Sequence, residues 1–264
     1  MNFYTTIMGS GAAIPTLSRH CSGQVVNING FKMLLDCGEG TQNQIRAYHQ
    51  KLQSIQLVCI THLHGDHVFG LPGLLSTMHL CGRTEPVDVI GPSGIKTMLG
   101  ITLDYSNTTF NYELRIHEVD CETKTQVFEH KNCRISAFPL VHSVPTYGYL
   151  IEEIPRGQNP ARRYAYCSDT AYCEDIIPIV QGVNLLCLES TFANNFANIA
   201  AEKLHCTAEQ AATLAKKAEV DQLLLTHFSA RYKTIDTLLA EATAVFPNTI
   251  PAVDGAQYPI TFNR

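Results

Sequence analysis

Short apolar runs separated by turn residues fill the first third of the chain, and their period is that of strands. Gln24 to Asn29 and Phe31 to Asp36 meet at Asn29-Gly30, a dipeptide that closes a two-residue hairpin because both residues tolerate positive φ. Ile55 to Ile60 is apolar at nearly every position, as expected of a strand covered on both faces. A polar, histidine-rich stretch follows, then a helical stretch from about Leu74 to Cys81 and a strand at Val87 to Ile90 closed by Gly91-Pro92. Tyr112 to Leu150 reads as β-rich, and Thr146 to Glu152 and Arg163 to Cys167 as strands. Beyond Asp169 the two periods alternate: Leu185 to Glu189 and Gln222 to Thr226 are strands, Ala208 to Ala218 and Ile235 to Val245 helices. The pattern predicts an α/β protein.

One internal echo stands out. Leu57-Val58-Cys59-Ile60-Thr61-His62 is matched by Leu223-Leu224-Leu225-Thr226-His227, so two buried strands each end in Thr-His. Two halves that each deliver a histidine from a strand end suit a pair of sheets with a site along one edge.

Composition narrows the class. The 264 residues are 45% hydrophobic and 16% charged, enough for one large α/β domain or two small ones. The net charge of −5 excludes a generally basic nucleic-acid coat but leaves room for a local basic patch. No run approaches the roughly 18 to 20 apolar residues that cross a bilayer, and Met1-Asn2-Phe3-Tyr4 lacks the features of a signal peptide. The expectation is a soluble cytoplasmic protein without a membrane partner. Ten cysteines are scattered without any Cys-x-x-Cys pair, several within apolar runs such as Leu185-Leu186-Cys187-Leu188, and read as reduced core thiols.

The eleven histidines are a different matter. Thr61-His62-Leu63-His64-Gly65-Asp66-His67 puts three imidazoles and a carboxylate directly after a strand, a density that packing does not explain. Imidazole nitrogen and carboxylate oxygen together suit zinc or another first-row divalent metal. In extended chain His62 and His64 face the same way and can share one ion, and a turn at Gly65 can send Asp66 and His67 to a second.

His-x-His-x-Asp-His is the signature of the metallo-β-lactamase superfamily, and nearly the whole chain resembles its ribonuclease Z branch. The resemblance is carried by Gly9-Ser10-Gly11-Ala12 with Pro15, by Leu35-Asp36-Cys37-Gly38-Glu39-Gly40-Thr41-Gln42, by His205-Cys206-Thr207-Ala208-Glu209-Gln210-Ala211-Ala212, and by Leu225-Thr226-His227-Phe228-Ser229-Ala230-Arg231-Tyr232. It implies one hydrolase domain over residues 1–264 with an αβ/βα sandwich of two mixed sheets flanked by helices. His62, His64 and His142 would hold a first metal and Asp66, His67 and His227 a second, with Asp169 bridging; Zn fits, as do Mn and Fe. Asp66, His205 and Glu189 would carry the catalysis, His205 as proton donor and Glu189 as the group that orients it. Asp36 would support a ligand histidine through its other nitrogen.

Two ions that share a water lower its pKa and aim it at phosphorus, which implies hydrolysis of a phosphodiester, first of all in 3′-end processing of precursor tRNA. Arg19 and Arg231 are candidate substrate contacts, and Arg162, Arg163 and Lys203 could meet phosphates. One departure bears on the substrate. The branch carries a long arm between the third ligand block and the Asp block, whereas 26 residues separate His142 from Asp169 here. The family forms homodimers in which one subunit's arm holds the substrate cut by the other; a chain without the arm leaves a homodimer open. An arm-less phosphodiesterase for small molecules, or another metallo-hydrolase on the same fold, is the alternative.

Overall fold

The Asn29-Gly30 signal gives what it promises. In the computed structural model, which describes residues 2–155 and 160–262, Asn29 and Gly30 take φ of 51° and 92° and join two strands paired antiparallel from Ile28↔Phe31 onward. These strands lie in a first compact unit, Met1–Asp120 with Asp254–Tyr258. Its elements are β1 (Phe3–Gly9), β2 (Gly11–Ala12), β3 (Gly23–Ile28), β4 (Phe31–Cys37), α1 (Thr41–Ala47), β5 (Ile55–Cys59), α2 (Gly65–Val68), α3 (Leu71–Leu80), β6 (Val87–Pro92), α4 (Ile95–Tyr105) and β7 (Leu114–Val119), with the chain's last strand, β16 (Gln257–Pro259). Seven strands form one sheet in the order β16-β1-β3-β4-β5-β6-β7. The pairing is antiparallel from β1 through β4 and parallel from β4 through β7.

Apolar side chains of this sheet, among them Val25, Leu34, Val58 and Val89, pack with Ile45 of α1, Leu71, Leu74 and Leu75 of α3, and Ile95 and Leu99 of α4. Each fully buried Leu or Ile there contributes roughly 1.5–3 kcal/mol. α3 begins three residues before the expected start, because Pro72 falls in the first turn, where its missing N–H costs nothing.

The second unit, Cys121–Val253 with Pro259–Arg264, contains β8 (Thr125–His130), β9 (Cys133–Pro139), β10 (Tyr147–Glu153), β11 (Arg163–Cys167), α5 (Ile177–Val180), β12 (Leu185–Glu189), α6 (Ala197–Lys203), α7 (Ala208–Lys217), β13 (Leu223–Thr226), β14 (Phe228–Ser229), α8 (Asp236–Val245) and β15 (Thr249–Pro251). Its seven-stranded sheet runs β15-β13-β12-β11-β10-β9-β8. Here β8 through β11 pair antiparallel and β11 through β15 parallel. Every residue of β12 and β13 is buried, as the apolar runs 185–188 and 223–225 require, and the polar Glu189 and Thr226 that end them are buried too. The expected elements are present. α1, α2, α4, α5 and α6 are additional: α1, α2 and α4 each bury two side chains, α5 only Val180 and α6 only Ala200, too few to show a period in sequence.

The connection from β10 to β11 is short and tied at its base. Glu153 N–H donates to the Arg162 carbonyl at 2.9 Å. The buried Arg162 guanidinium forks onto the Glu153 carboxylate at 2.8 and 2.7 Å and donates to the Ile260 carbonyl at 3.1 Å.

Candidate functional site

In both sheets most of the chemistry-bearing residues lie at or just beyond the carboxyl ends of strands from the one where the pairing changes from antiparallel to parallel, the usual place for a ligand in an open α/β sheet; His142 instead follows the antiparallel β9, and His205 follows α6. In the first unit that change occurs at β4. Gly23 opposes Cys37 and Gln24 opposes Leu35, so Asp36 is the extra residue of a β-bulge, with φ of 57°. The bulge re-aims a fully buried carboxylate toward the residues after β5. Asp36 accepts the Thr61 N–H at 2.8 Å, the Thr61 hydroxyl at 3.0 Å, and a hydrogen bond from Nδ1 of His67 at 2.8 Å.

His62 and His67 are buried with ring centroids 4.2 Å apart. The His67 Nδ1 proton is held by Asp36, and its Nε2 faces Asp66 Oδ2 at 3.4 Å. Nε2 of His62 lies 3.0 Å from Nδ1 of His64, close to the edge of a tetrahedron of nitrogens about 2.0–2.1 Å from a zinc ion. Asp66 Oδ2 also accepts the Ala13 N–H at 2.8 Å, which ties to it the loop that carries Arg19. That loop is braced by Thr16, whose hydroxyl accepts the Arg19 N–H at 2.9 Å. Backbone contact makes the site compact: a Cβ on Gly38 would lie 2.2 Å from the Asp66 carbonyl, and one on Gly70 would lie 2.1 Å from the Gly38 carbonyl.

The second unit places the corresponding groups after β11, β12 and β13. Asp169 follows β11 with φ of 60° and His227 follows β13 with φ of 59°, left-handed conformations uncommon outside glycine and held only where the surroundings over-determine them. Asp169 turns Oδ1 to Nε2 of His227 at 3.0 Å and Oδ2 to Nε2 of His142 at 3.7 Å. His142 donates from Nδ1 to the Leu204 carbonyl at 3.1 Å, which leaves its Nε2 on the Asp169 side.

Glu189, fully buried at the end of β12, accepts from four donors: Thr170 N–H at 2.7 Å, His205 Nδ1 at 2.8 Å, the Thr191 hydroxyl at 2.6 Å and Cys206 N–H at 3.1 Å. Asp169, Glu189, His205 and His227 each bring one ligand atom to within 4.8 Å of the others'. His205 keeps some exposure, 15% of its side chain. Arg231 lies over the rings of Phe192 and Phe196 at 4.7 and 4.6 Å, and Phe192 stands 6.0 Å from the His205 ring.

Each unit thus gathers its share of the expected residues: His62, His64, Asp66, His67, Asp36 and Arg19 in the first, His142, Asp169, Glu189, His205, His227 and Arg231 in the second. Thr170 and Thr191 carry no signal of their own in the sequence, and Thr61 only that of the Thr-His echo, although each stands one or two residues from a candidate. Arg162 and Arg163 are corrected. Arg162 is buried on Glu153, and the Arg163 guanidinium donates to the Gln181 and Gly182 carbonyls at 2.9 Å each, so both serve the fold rather than phosphates. Seven of the ten cysteines are buried, as expected of core thiols. Burial pushes the Cys21 thiol up to about 11 and drives Cys37, Cys167 and Cys206 well above the usual thiol range.

The donor chemistry fits metal ions. A neutral imidazole whose Nδ1 proton is given to Asp36 turns a lone pair toward the carboxylate of Asp66, and two such electron-rich atoms at 3.4 Å call for a cation. Known proteins resemble the chain over most of its length. Residues 32–228 match the β-lactamase superfamily domain. Ribonuclease Z of Porphyromonas gingivalis is 38% identical over 295 positions, covering 95% of this chain and 96% of the relative; ribonuclease Z of Bacteroides fragilis is 36% identical with the same coverage.

This chain belongs to the ribonuclease Z family.

Among solved structures, human tRNase Z, short form, superposes with a TM-score of 0.85 at 29% identity, over 98% of this chain and 100% of that one. The expected fold class is borne out by the superfamily and by the two mixed sheets with flanking helices. The His/Asp set of this ribonuclease Z family member is compatible with a dinuclear metal site. The alignment to the P. gingivalis protein spans more positions than the 264 residues here, so that relative has residues with no counterpart in this chain. Among the described residues, no helix is long and apolar enough to cross a membrane.

Proposed function

We propose that this chain is a dinuclear metal-dependent endoribonuclease that hydrolyses a phosphodiester at the 3′ end of precursor tRNA, residues 1–264 acting as one hydrolase domain. The observation that carries this reading is identity of 38% to ribonuclease Z over 95% of the chain, with every expected donor present in the sequence. His62, His64 and His142 would hold one divalent ion and Asp66, His67 and His227 the other. Asp169, with one oxygen toward each of two histidines, has the form of a bridging ligand. Zinc suits the donors, and Mn or Fe would be accepted by the same set.

When bound, the two ions supply a water of lowered pKa as nucleophile and neutralise charge on the phosphate. Asp66 would help to hold and aim that water. His205, with Nδ1 on Glu189, would carry a proton on Nε2 to the departing sugar oxygen. Arg231, fixed over two aromatic rings beside His205, and Arg19 would meet the RNA backbone.

The short β10–β11 connection favours a second reading, an arm-less phosphodiesterase for small molecules. Metal-loaded protein offered a precursor tRNA with a 3′ trailer, a cyclic nucleotide and an aryl phosphodiester separates the two. Cleavage after the acceptor stem, abolished by Asp169→Ala, is expected. Intact precursor beside rapid turnover of a small diester would decide for the second reading.

A further inference from the structure

Four of the candidate ligand histidines have an oxygen partner on Nδ1, and these partners are of two kinds. His67 has a carboxylate and His142 a backbone carbonyl, both of which only accept, so Nδ1 must carry the proton. His62 and His227 instead face a threonine hydroxyl, at 3.0 Å from Thr61 and 2.9 Å from Thr191. A hydroxyl alone settles nothing, since it donates or accepts with equal ease. Behind each of these hydroxyls, however, stands a buried carboxylate: Asp36 at 3.0 Å from the Thr61 oxygen and Glu189 at 2.6 Å from the Thr191 oxygen. The carboxylate takes the single hydroxyl proton. Toward the imidazole the oxygen can then only accept.

From this we infer that Thr191 and Thr61 are positioning residues, each a one-hydroxyl relay through which a buried carboxylate sets the tautomer of a metal-binding histidine. In the second unit the chain Glu189–Thr191–His227 puts the proton on Nδ1 and leaves the Nε2 lone pair facing Asp169 Oδ1 at 3.0 Å. In the first, Asp36–Thr61–His62 leaves the His62 Nε2 lone pair beside Nδ1 of His64. One carboxylate serves two histidines in each unit, directly through His67 or His205 and by relay through His62 or His227. This makes a ready-set nitrogen part of the metal-free protein, so that binding an ion needs no tautomer exchange at these rings. The inference rests on the dinuclear reading above.

The test compares wild type, Thr191→Val, which keeps the shape and removes the hydroxyl, and Thr191→Ser, which keeps the hydroxyl. Metal-free proteins are titrated with zinc alone by calorimetry, and spectra of the same samples with ¹⁵N-labelled histidine report each ring's tautomer. Thr191→Val is expected to weaken one of the two zinc sites by about 10- to 100-fold and to release the His227 ring from its Nδ1–H form. Thr191→Ser should restore both. Thr61→Val should do the same to the other site and to the His62 ring, and it carries the test should Thr191→Val fail to fold. Two zinc ions bound at wild-type affinity by a folded valine variant, with the Nδ1–H signal intact, would overturn the relay while leaving the dinuclear reading standing. A wild type that binds no zinc would overturn both.

Discussion

The first unit ends β4 in a bulged aspartate and the second ends β12 in a glutamate, and the two carboxylates are employed alike with different results. Asp36 is buried, accepts backbone and hydroxyl protons from Thr61 and holds His67 directly. Glu189 is buried, accepts backbone protons from Thr170 and Cys206, takes the Thr191 hydroxyl and holds His205 directly. His67 is wholly buried with Nε2 facing Asp66, whereas His205 keeps an exposed edge and lies tilted against Phe192 at 6.0 Å. The same wiring therefore supports a ring committed to metal in one sheet and, in our reading, a ring that moves a proton in the other. Exposure and the group opposite Nε2 make the difference, not the carboxylate.

Replacing the directly held histidines tests that comparison most severely. His67→Ala should lose one ion and with it cleavage of both precursor tRNA and an aryl phosphodiester such as bis-nitrophenyl phosphate. His205→Ala should keep both ions, lose about 10²- to 10⁴-fold in kcat on the RNA, and retain most activity on the aryl diester, whose leaving group needs no proton. Metal analysis beside the two rates checks it. Loss of an ion from His205→Ala would mean that the second unit uses its histidine as the first does, and the contrast would collapse.

Removing the carboxylates should matter to folding as well. Asp36→Ala strands the Thr61 N–H and the His67 Nδ1 proton, and Glu189→Ala strands two backbone N–H groups besides the His205 ring. A buried donor without an acceptor costs about 1–3 kcal/mol. Denaturant melts of the metal-free variants should therefore show losses of several kcal/mol, larger for Glu189→Ala. Equal and small losses would mean that water replaces the carboxylates and that the hubs are less dry than their burial implies.

Much of this was legible beforehand, for physical reasons that differ by residue. Asn29-Gly30 announces its turn because few other pairs accept two positive φ values, and the clustered histidines announce metal because nothing in packing favours them together. The Thr-His echo proved a partial guide. Thr61 does serve the histidine that follows it, but the Thr226 carbonyl accepts from Ser190, and the partner of His227 is Thr191, after the neighbouring strand. A threonine at a strand end is ordinary in sequence, so only the fold shows which of the two hydroxyls meets an imidazole. The bulge at Asp36 was hidden for a similar reason: Leu34-Leu35-Asp36-Cys37 reads as an uninterrupted strand, and the extra residue becomes visible only against Gly23 and Gln24 on the partner.

The smallest expected effect concerns how the two units start their helices. In the first, α1, α3 and α4 begin after Gly40, Gly70 and Gly94 without any side-chain cap. In the second, α7 begins with a capping box: the Thr207 hydroxyl accepts the Gln210 N–H at 3.2 Å and the Gln210 side chain accepts the Thr207 N–H at 2.9 Å. This cap immediately follows His205 and Cys206, and Cys206 N–H is itself bound to Glu189. Thr207→Ala should cost about 1 kcal/mol of stability. If the cap also holds His205 in place, the loss should reach kcat on precursor tRNA while zinc affinity stays unchanged, since no expected ligand lies on α7. A melt shifted by that amount with an unaltered kcat would show instead that Glu189 alone fixes the His205 ring, and that the cap serves the helix and nothing beyond it.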